Sequence, residues 1–118
     1  MKSYSVIITQ AAYNTLSEVR YYLERVLFMP HTALEYVNSI ENEINKLEYI
    51  ASAIASVQDE PWHSLGIKRI LSKQFYVYYL IDESTDKVYV IGIIYSRRDQ
   101  PSEIKKALSL FFKTDKEN

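Results

Sequence analysis

Cysteine is absent from this sequence, so no disulfide and no thiolate metal site is open to it. That absence suits a reducing cytoplasm. Glycine is almost absent too. With only Gly66 and Gly92 there is no glycine-rich loop to cradle a phosphate. The two histidines, His31 and His63, stand alone at a helix entry and in a loop, and read as solvated polar residues rather than metal ligands. No serine sits in a nucleophile elbow. No apolar run approaches the roughly 20 residues that span a bilayer. The opening run Val6-Ile7-Ile8 is too short for the core of a secretory signal. Excess charge is also lacking: the net value is −1, which argues mildly against nucleic acid as a partner.

What is present is ordinary globular material. The 118 residues are 47% hydrophobic and 25% charged, which bounds the chain to one domain, residues 1–118. The charges are unevenly placed. Residues 1–60 balance to −4 and residues 61–118 to +3, with Lys68, Arg69, Lys73, Arg97 and Arg98 all in the second half. Such asymmetry marks either a polarised binding surface or two ordinary solvated faces.

Tyr4 to Thr9 is short and β-rich and reads as a first strand. Ala12, Leu16, Val19, Leu23 and Val26 then recur at three or four, one helical stripe ended by Met29-Pro30-His31. Thr32 and Glu35 have capping-box spacing, and Leu34, Val37, Ile40, Ile44, Leu47, Ala51 and Ile54 form a second stripe. The two stripes predict an antiparallel helical hairpin that also covers a sheet. Pro61 and Gly66 punctuate a loop over 56–66. Strands are expected at Ile67–Leu71, Phe75–Asp82 and Lys87–Ser96. The last two are apolar on both faces, so either both faces are covered or one awaits a partner. Pro101 and Glu103 open a short helix carrying Ile104, Leu108 and Phe111, followed by a polar tail from Thr114 expected to fray.

The stretch Gly66-Ile67-Lys68-Arg69-Ile70-Leu71-Ser72-Lys73-Gln74-Phe75-Tyr76-Val77-Tyr78-Tyr79-Leu80-Ile81-Asp82, followed by Val88 to Asp99, resembles the second half of RelE/ParE toxins. A basic strand leads to an aromatic strand ending Tyr-x-x-Asp. A Val/Ile-rich strand then ends in Tyr95-Ser96-Arg97-Arg98-Asp99. With the helical hairpin before it, the resemblance spans about residues 4–100. It implies an α+β fold, with an N-terminal strand and helical hairpin packed on a mainly antiparallel four-stranded sheet and a short C-terminal helix.

The resemblance also implies a type II toxin without cofactor or metal. Such toxins cut ribosome-bound mRNA by letting its own 2′-hydroxyl attack the adjacent phosphate, and are held silent by a cognate antitoxin. On that reading Arg97, Arg69 and Lys68 are the catalytic cations, with Arg97 foremost. Lys73, Arg98, Tyr76 and Tyr95 bind RNA, although Tyr76 and Tyr95 read more readily as core packing. The chain departs from RNA-cutting relatives in two places. Phe75-Tyr76 stands where another basic residue is common, and Gln100 to Ile104 where several place a tyrosine or histidine. These departures keep two alternatives open: a ParE-like protein that poisons DNA gyrase by binding, and an inactive member.

Overall fold

The computed structural model of the chain describes residues 2–115. Strand β1 (Ser5–Ile8) leads at once into helix α1 (Gln10–Tyr21). Thr9 makes that junction. Its buried hydroxyl donates to the Val90 carbonyl at 2.8 Å and accepts from the Ala12 amide at 3.3 Å, so one side chain caps the helix and ties it to the sheet.

After Tyr21 the helix widens into a π turn over Tyr22–Val26, closed by the Leu27 amide on the Tyr22 carbonyl. The extra residue rotates the apolar stripe off the core. Ala12 and Leu16, before the turn, are buried, while Val26, at the end of the expected stripe, is exposed.

Helix α2 (Pro30–Ile50) begins two residues before the expected capping box. Met29 is the cap without any side-chain bond, and Pro30 occupies the first turn. Thr32 and Glu35 consequently lie inside the helix rather than capping it. Proline's fixed φ suits that first position and its missing amide costs nothing there. Leu34, read as the start of the buried stripe, is 56% exposed. Burial begins with Ala33 and continues through Ile40, Ile44 and Leu47.

A short 3-10 turn over Ala51–Ala53 ends the hairpin. Strands β2 (Lys68–Ser72), β3 (Phe75–Asp82) and β4 (Lys87–Tyr95) follow, then helix α3 (Gln100–Leu110) and a π turn over Phe111–Asp115. The polar tail expected from Thr114 thus starts as ordered helix, and its last residues, 116–118, lie outside those described. Among the described residues no helix is long and apolar enough to cross a membrane.

The sheet order is β1-β4-β3-β2. The β4–β3 and β3–β2 pairs are antiparallel, while β1 joins β4 in parallel. Both sheet faces are covered. Ala12, Leu16, Ile40, Ile44 and Leu47 of the hairpin pack with Val77, Tyr79, Val88 and Val90 on one side. Ile104, Leu108 and Phe111 of the C-terminal segment pack with Tyr78 and Ile91 on the other. The second face is therefore closed by the chain's own α3, which explains why β3 and β4 show no polar alternation.

A bulge sharpens this arrangement. Tyr78 pairs with Gly92 but Tyr79 pairs with Val90, leaving Ile91 as the extra residue. Gly92 lies so close to α3 that a Cβ there would stand 3.3 Å from the Ala107 Cβ. Gly92→Val is expected to push α3 outward and cost about 1–3 kcal/mol, the usual range for overpacking. Urea denaturation compared with the parent reads the loss, and an unchanged midpoint would mean that α3 docks loosely.

Candidate functional site

Successive residues of a strand face opposite sides, and this decides which cations meet. On β2, Arg69 and Leu71 point to the α3 side, while Lys68, Ile70 and Ser72 point to the hairpin side. Ile70 packs in the hairpin-side core and Ser72 meets Ser39 of α2 at 3.0 Å. The two adjacent basic residues therefore part. The Lys68 ammonium donates to the Ile54 carbonyl, just past the end of the helical hairpin. Arg69 lies on the other side with its guanidinium carbon 3.9 Å from the centre of the Tyr76 ring.

Arg69 is the head of a hydrogen-bonded chain. Its Nη1 donates to the Tyr78 phenol at 3.1 Å, and that phenol donates to Gln100 Oε1 at 2.8 Å. The Gln100 amide nitrogen then donates to the carbonyls of Tyr95 and Arg98, at 2.9 and 2.8 Å. The network thus runs from the edge strand, across β3, to the turn bearing Arg97 and Arg98. That turn is fixed further by the Arg98 amide on the Tyr95 carbonyl and by Asp99, which caps α3 through the Ser102 amide. The Ser96 amide bonds the Gln74 carbonyl at 2.8 Å, joining it to the β2–β3 turn.

The side chains of Arg97 and Arg98 are exposed, and among the described residues no ion pair involves Arg69, Arg97 or Arg98. Asp99 is committed to its cap and Glu103 pairs with Lys106 at 3.6 Å. Among the described residues, none of these three guanidinium groups has a carboxylate partner, and the network links Arg69 to the backbone of the turn that carries the other two.

The remaining expected residues lie elsewhere. Lys73, in the β2–β3 turn with a positive φ of 56°, leans toward Tyr36 of α2, its ammonium 5.8 Å from that ring. Tyr95 packs on Phe75, which in turn meets Tyr36, so its ring belongs to the hairpin side. Of the seven residues singled out in the sequence, Arg69 and Tyr76 come together, and the network reaches the backbone of the turn that bears Arg97 and Arg98. Lys68, Lys73 and Tyr95 fall on the opposite face. Tyr78 and Gln100 were missed. Tyr78 was foreseeable, because it lies two residues from Tyr76 on the same strand face. No sequence signal marks Gln100, whose bond to Tyr78 depends on how the sheet and α3 come together.

Burial pushes the Tyr78 phenol above the usual tyrosine value. The Arg69 bond and charge oppose that rise, while Tyr76 and Asp59 add to it. Burial raises Tyr79 more strongly, and its phenol donates to the Ala51 carbonyl at 2.8 Å. Both phenols therefore stay protonated where an unfolded chain would already ionise. This stabilisation is fully present below about pH 10, the unfolded tyrosine pKa, and is lost as pH rises through the folded values. Urea midpoints are expected to fall between pH 9 and 11, and to fall less steeply in Tyr79→Phe. Equal slopes in the two proteins would contradict the assignment.

Among the described residues no group of three or more His, Asp or Glu side chains is placed to hold a metal ion. The arrangement offers oriented cations, one of them stacked on an aromatic ring, which is chemistry suited to phosphate oxygens.

No protein-family model matches the chain, and no curated protein matches it. Among solved structures it is similar to a chain of the chromosomal ParDE TA system from P. aeruginosa. The TM-score is 0.65 and the identity 20%, and the match covers 79% of this chain and 96% of that one. The chain has a RelE/ParE-like fold. In that fold the helical hairpin, the mixed four-stranded sheet and the short C-terminal helix stand as the sequence led us to expect. The RelE/ParE-like sheet also accounts for where the arginines sit: Arg69 lies on the edge strand, and Arg97 and Arg98 lie just past the end of a central one.

Proposed function

We propose that this protein is the toxin of a type II toxin–antitoxin pair and acts on the backbone of ribosome-bound mRNA. The observation that carries the reading is the Arg69–Tyr78–Gln100 network, which holds one guanidinium in place and fixes the turn presenting two more, all without carboxylate partners. The message supplies its own nucleophile. The 2′-hydroxyl oxygen bonds to phosphorus, the bond from phosphorus to the 5′-oxygen breaks, and one proton passes from the 2′-oxygen to the leaving 5′-oxygen. The products are a 2′,3′-cyclic phosphate and a 5′-hydroxyl, with no change of oxidation state. The arginines neutralise the extra charge on phosphorus in the transition state, where a preorganised cation counts most.

The same exposed cations suit the acidic segment of an antitoxin, which would silence the protein by covering them. Action in the cytoplasm follows from this reading.

A second reading has its own support. The structural neighbour belongs to a ParDE system, and the network around Arg69 is built from Tyr78 and Gln100, with Asp99 beside it given to capping α3. On that reading the chain poisons DNA gyrase by binding it. Pulse labelling of protein and DNA synthesis after induction separates the two. Translation is expected to stop first, and Arg97→Ala at matched protein level is expected to weaken the arrest while melting as the parent does. A block confined to DNA synthesis would transfer the conclusion to gyrase.

A further inference from the structure

The α3 side of the molecule carries a second feature that the arginine network does not use. An open groove of about 480 Å³ runs between Trp62 and the C-terminal end of α3, lined by Trp62, Lys105, Leu108, Ser109, Phe112 and Lys113. Trp62 is the sole tryptophan and is held by packing against the α3-side core. Its loop is braced where the His63 ring bonds the Val57 carbonyl at 2.9 Å. From the helix, Lys105, Ser109, Phe112 and Lys113 recur at a spacing that brings them to one side.

The charges are what give the groove a ligand. Among the described residues Lys105 and Lys113 enter no ion pair, whereas Lys106 beside them is taken by Glu103. Of the two carboxylates on the Trp62 loop, Glu60 is engaged. It accepts from the Ser64 amide and hydroxyl. Two aromatic faces and two uncommitted ammonium groups fit a ligand that is planar, apolar and anionic by turns. Single-stranded nucleic acid has that chemistry, its bases stacking on aromatic rings and its backbone following the cations.

We propose that this groove binds a short single-stranded segment of RNA, one base stacked on Trp62 beside Phe112 and the adjoining phosphates on Lys105 and Lys113. The choice of RNA rests on the function proposed above. Because α3 starts beside the Arg98 turn, a strand lying along it joins the groove to the arginines. The groove would therefore grip the message a few nucleotides from the phosphate that is cut, and an open trough suits a strand better than a closed pocket would.

Trp62 itself reports occupancy. The full-length protein is titrated with hexauridylate while tryptophan emission is followed, and binding of labelled hexauridylate is read in parallel by anisotropy. Saturable quenching is expected. Affinity should fall with salt at a log–log slope of about −1.4, two phosphates at about 0.7 each. Lys105→Ala with Lys113→Ala should remove most of that slope. Trp62→Ala should weaken anisotropy-detected binding by about fivefold to 150-fold, the range for loss of one stacked base. Trp62→Phe should retain most of it, which guards against a merely misfolded variant.

Hexauridylate binding that leaves Trp62 emission unchanged and survives the double lysine change would overturn the groove while leaving the RNA reading intact. Absence of any binding to the parent protein would overturn the groove as well. Equal quenching by a glutamate-rich peptide that displaces the RNA would reassign the groove to a protein partner. Quenching and lysine dependence in a protein that never arrests translation would keep the groove and sink the proposed function instead.

Discussion

Arg69→Ala is expected to abolish growth arrest, lowering RNA cleavage by on the order of 10²–10³, or roughly 3–4 kcal/mol in the barrier. Losses of that size come from removing a charge preorganised for the transition state. Arg69 is held in one place, its guanidinium carbon 3.9 Å from the Tyr76 ring centre and its Nη1 3.1 Å from the Tyr78 phenol, and on the proposed function that place is beside the reacting phosphate. On the proposed RNA-cutting reading, we place Arg69 ahead of Arg97 and Lys68 for this test, whereas the sequence puts Arg97 foremost. Arg97 stands exposed on the fixed turn, and Lys68 is spent on a backbone carbonyl across the sheet. Arg69→Lys should restore little, since an ammonium can neither stack as a plane nor offer the rigid paired fork that matches two phosphate oxygens. The fold should survive, because a partly exposed cation–π contact is worth only about 0.5–1 kcal/mol. Cleavage by Arg69→Ala within threefold of the parent would remove Arg69 from the site.

Leu47→Ala is the substitution expected to cost most in stability. Leu47 is fully buried on α2 among Ile44, Val77 and Val88, so its truncation leaves a cavity that fixed helices and strands cannot close. Such changes cost about 2–5 kcal/mol. In a domain of this size that lowers Tm by roughly 8–20 °C. Leu34→Ala on the same helix serves as the contrast. Leu34 is exposed, and its loss should stay within about 0.5 kcal/mol. Thermal melts that place the two variants together would mean that the hairpin does not bury the face described.

These two leucines also show how far the sequence could be read. Both sit on one three-and-four repeat, and the repeat located α2 correctly. It could not show that the π turn and the Pro30 start shift the beginning of the stripe away from the sheet. Strand β3 was read to the residue, since Phe75 to Asp82 is bounded by turn residues on both sides. The bulge at Ile91 was not, because it exists only in the register between two strands. The site divided in the same way. The arginines were visible as residue types, and the separation of Lys68 from Arg69 was implicit in strand alternation. The link from Tyr78 to Gln100 depends on α3 crossing the sheet, which no local pattern announces.

The parallel pairing of β1 with β4 bears on how the molecule is born. Ser5 to Ile8 find their partners only at Lys87 to Val90, about 80 residues later in the sequence. During synthesis the first strand leaves the ribosome with nothing to pair with, and at 5–20 residues per second it waits roughly 4–16 s for its neighbour to be made. The Thr9 hydroxyl waits equally long for the Val90 carbonyl that fixes it. Closing so long a loop is slow compared with forming the helical hairpin. The nascent protein should thus exist for seconds as a hairpin with an open strand, and the sheet that carries Arg69 and the Arg97–Arg98 turn should close only after β4 has been made.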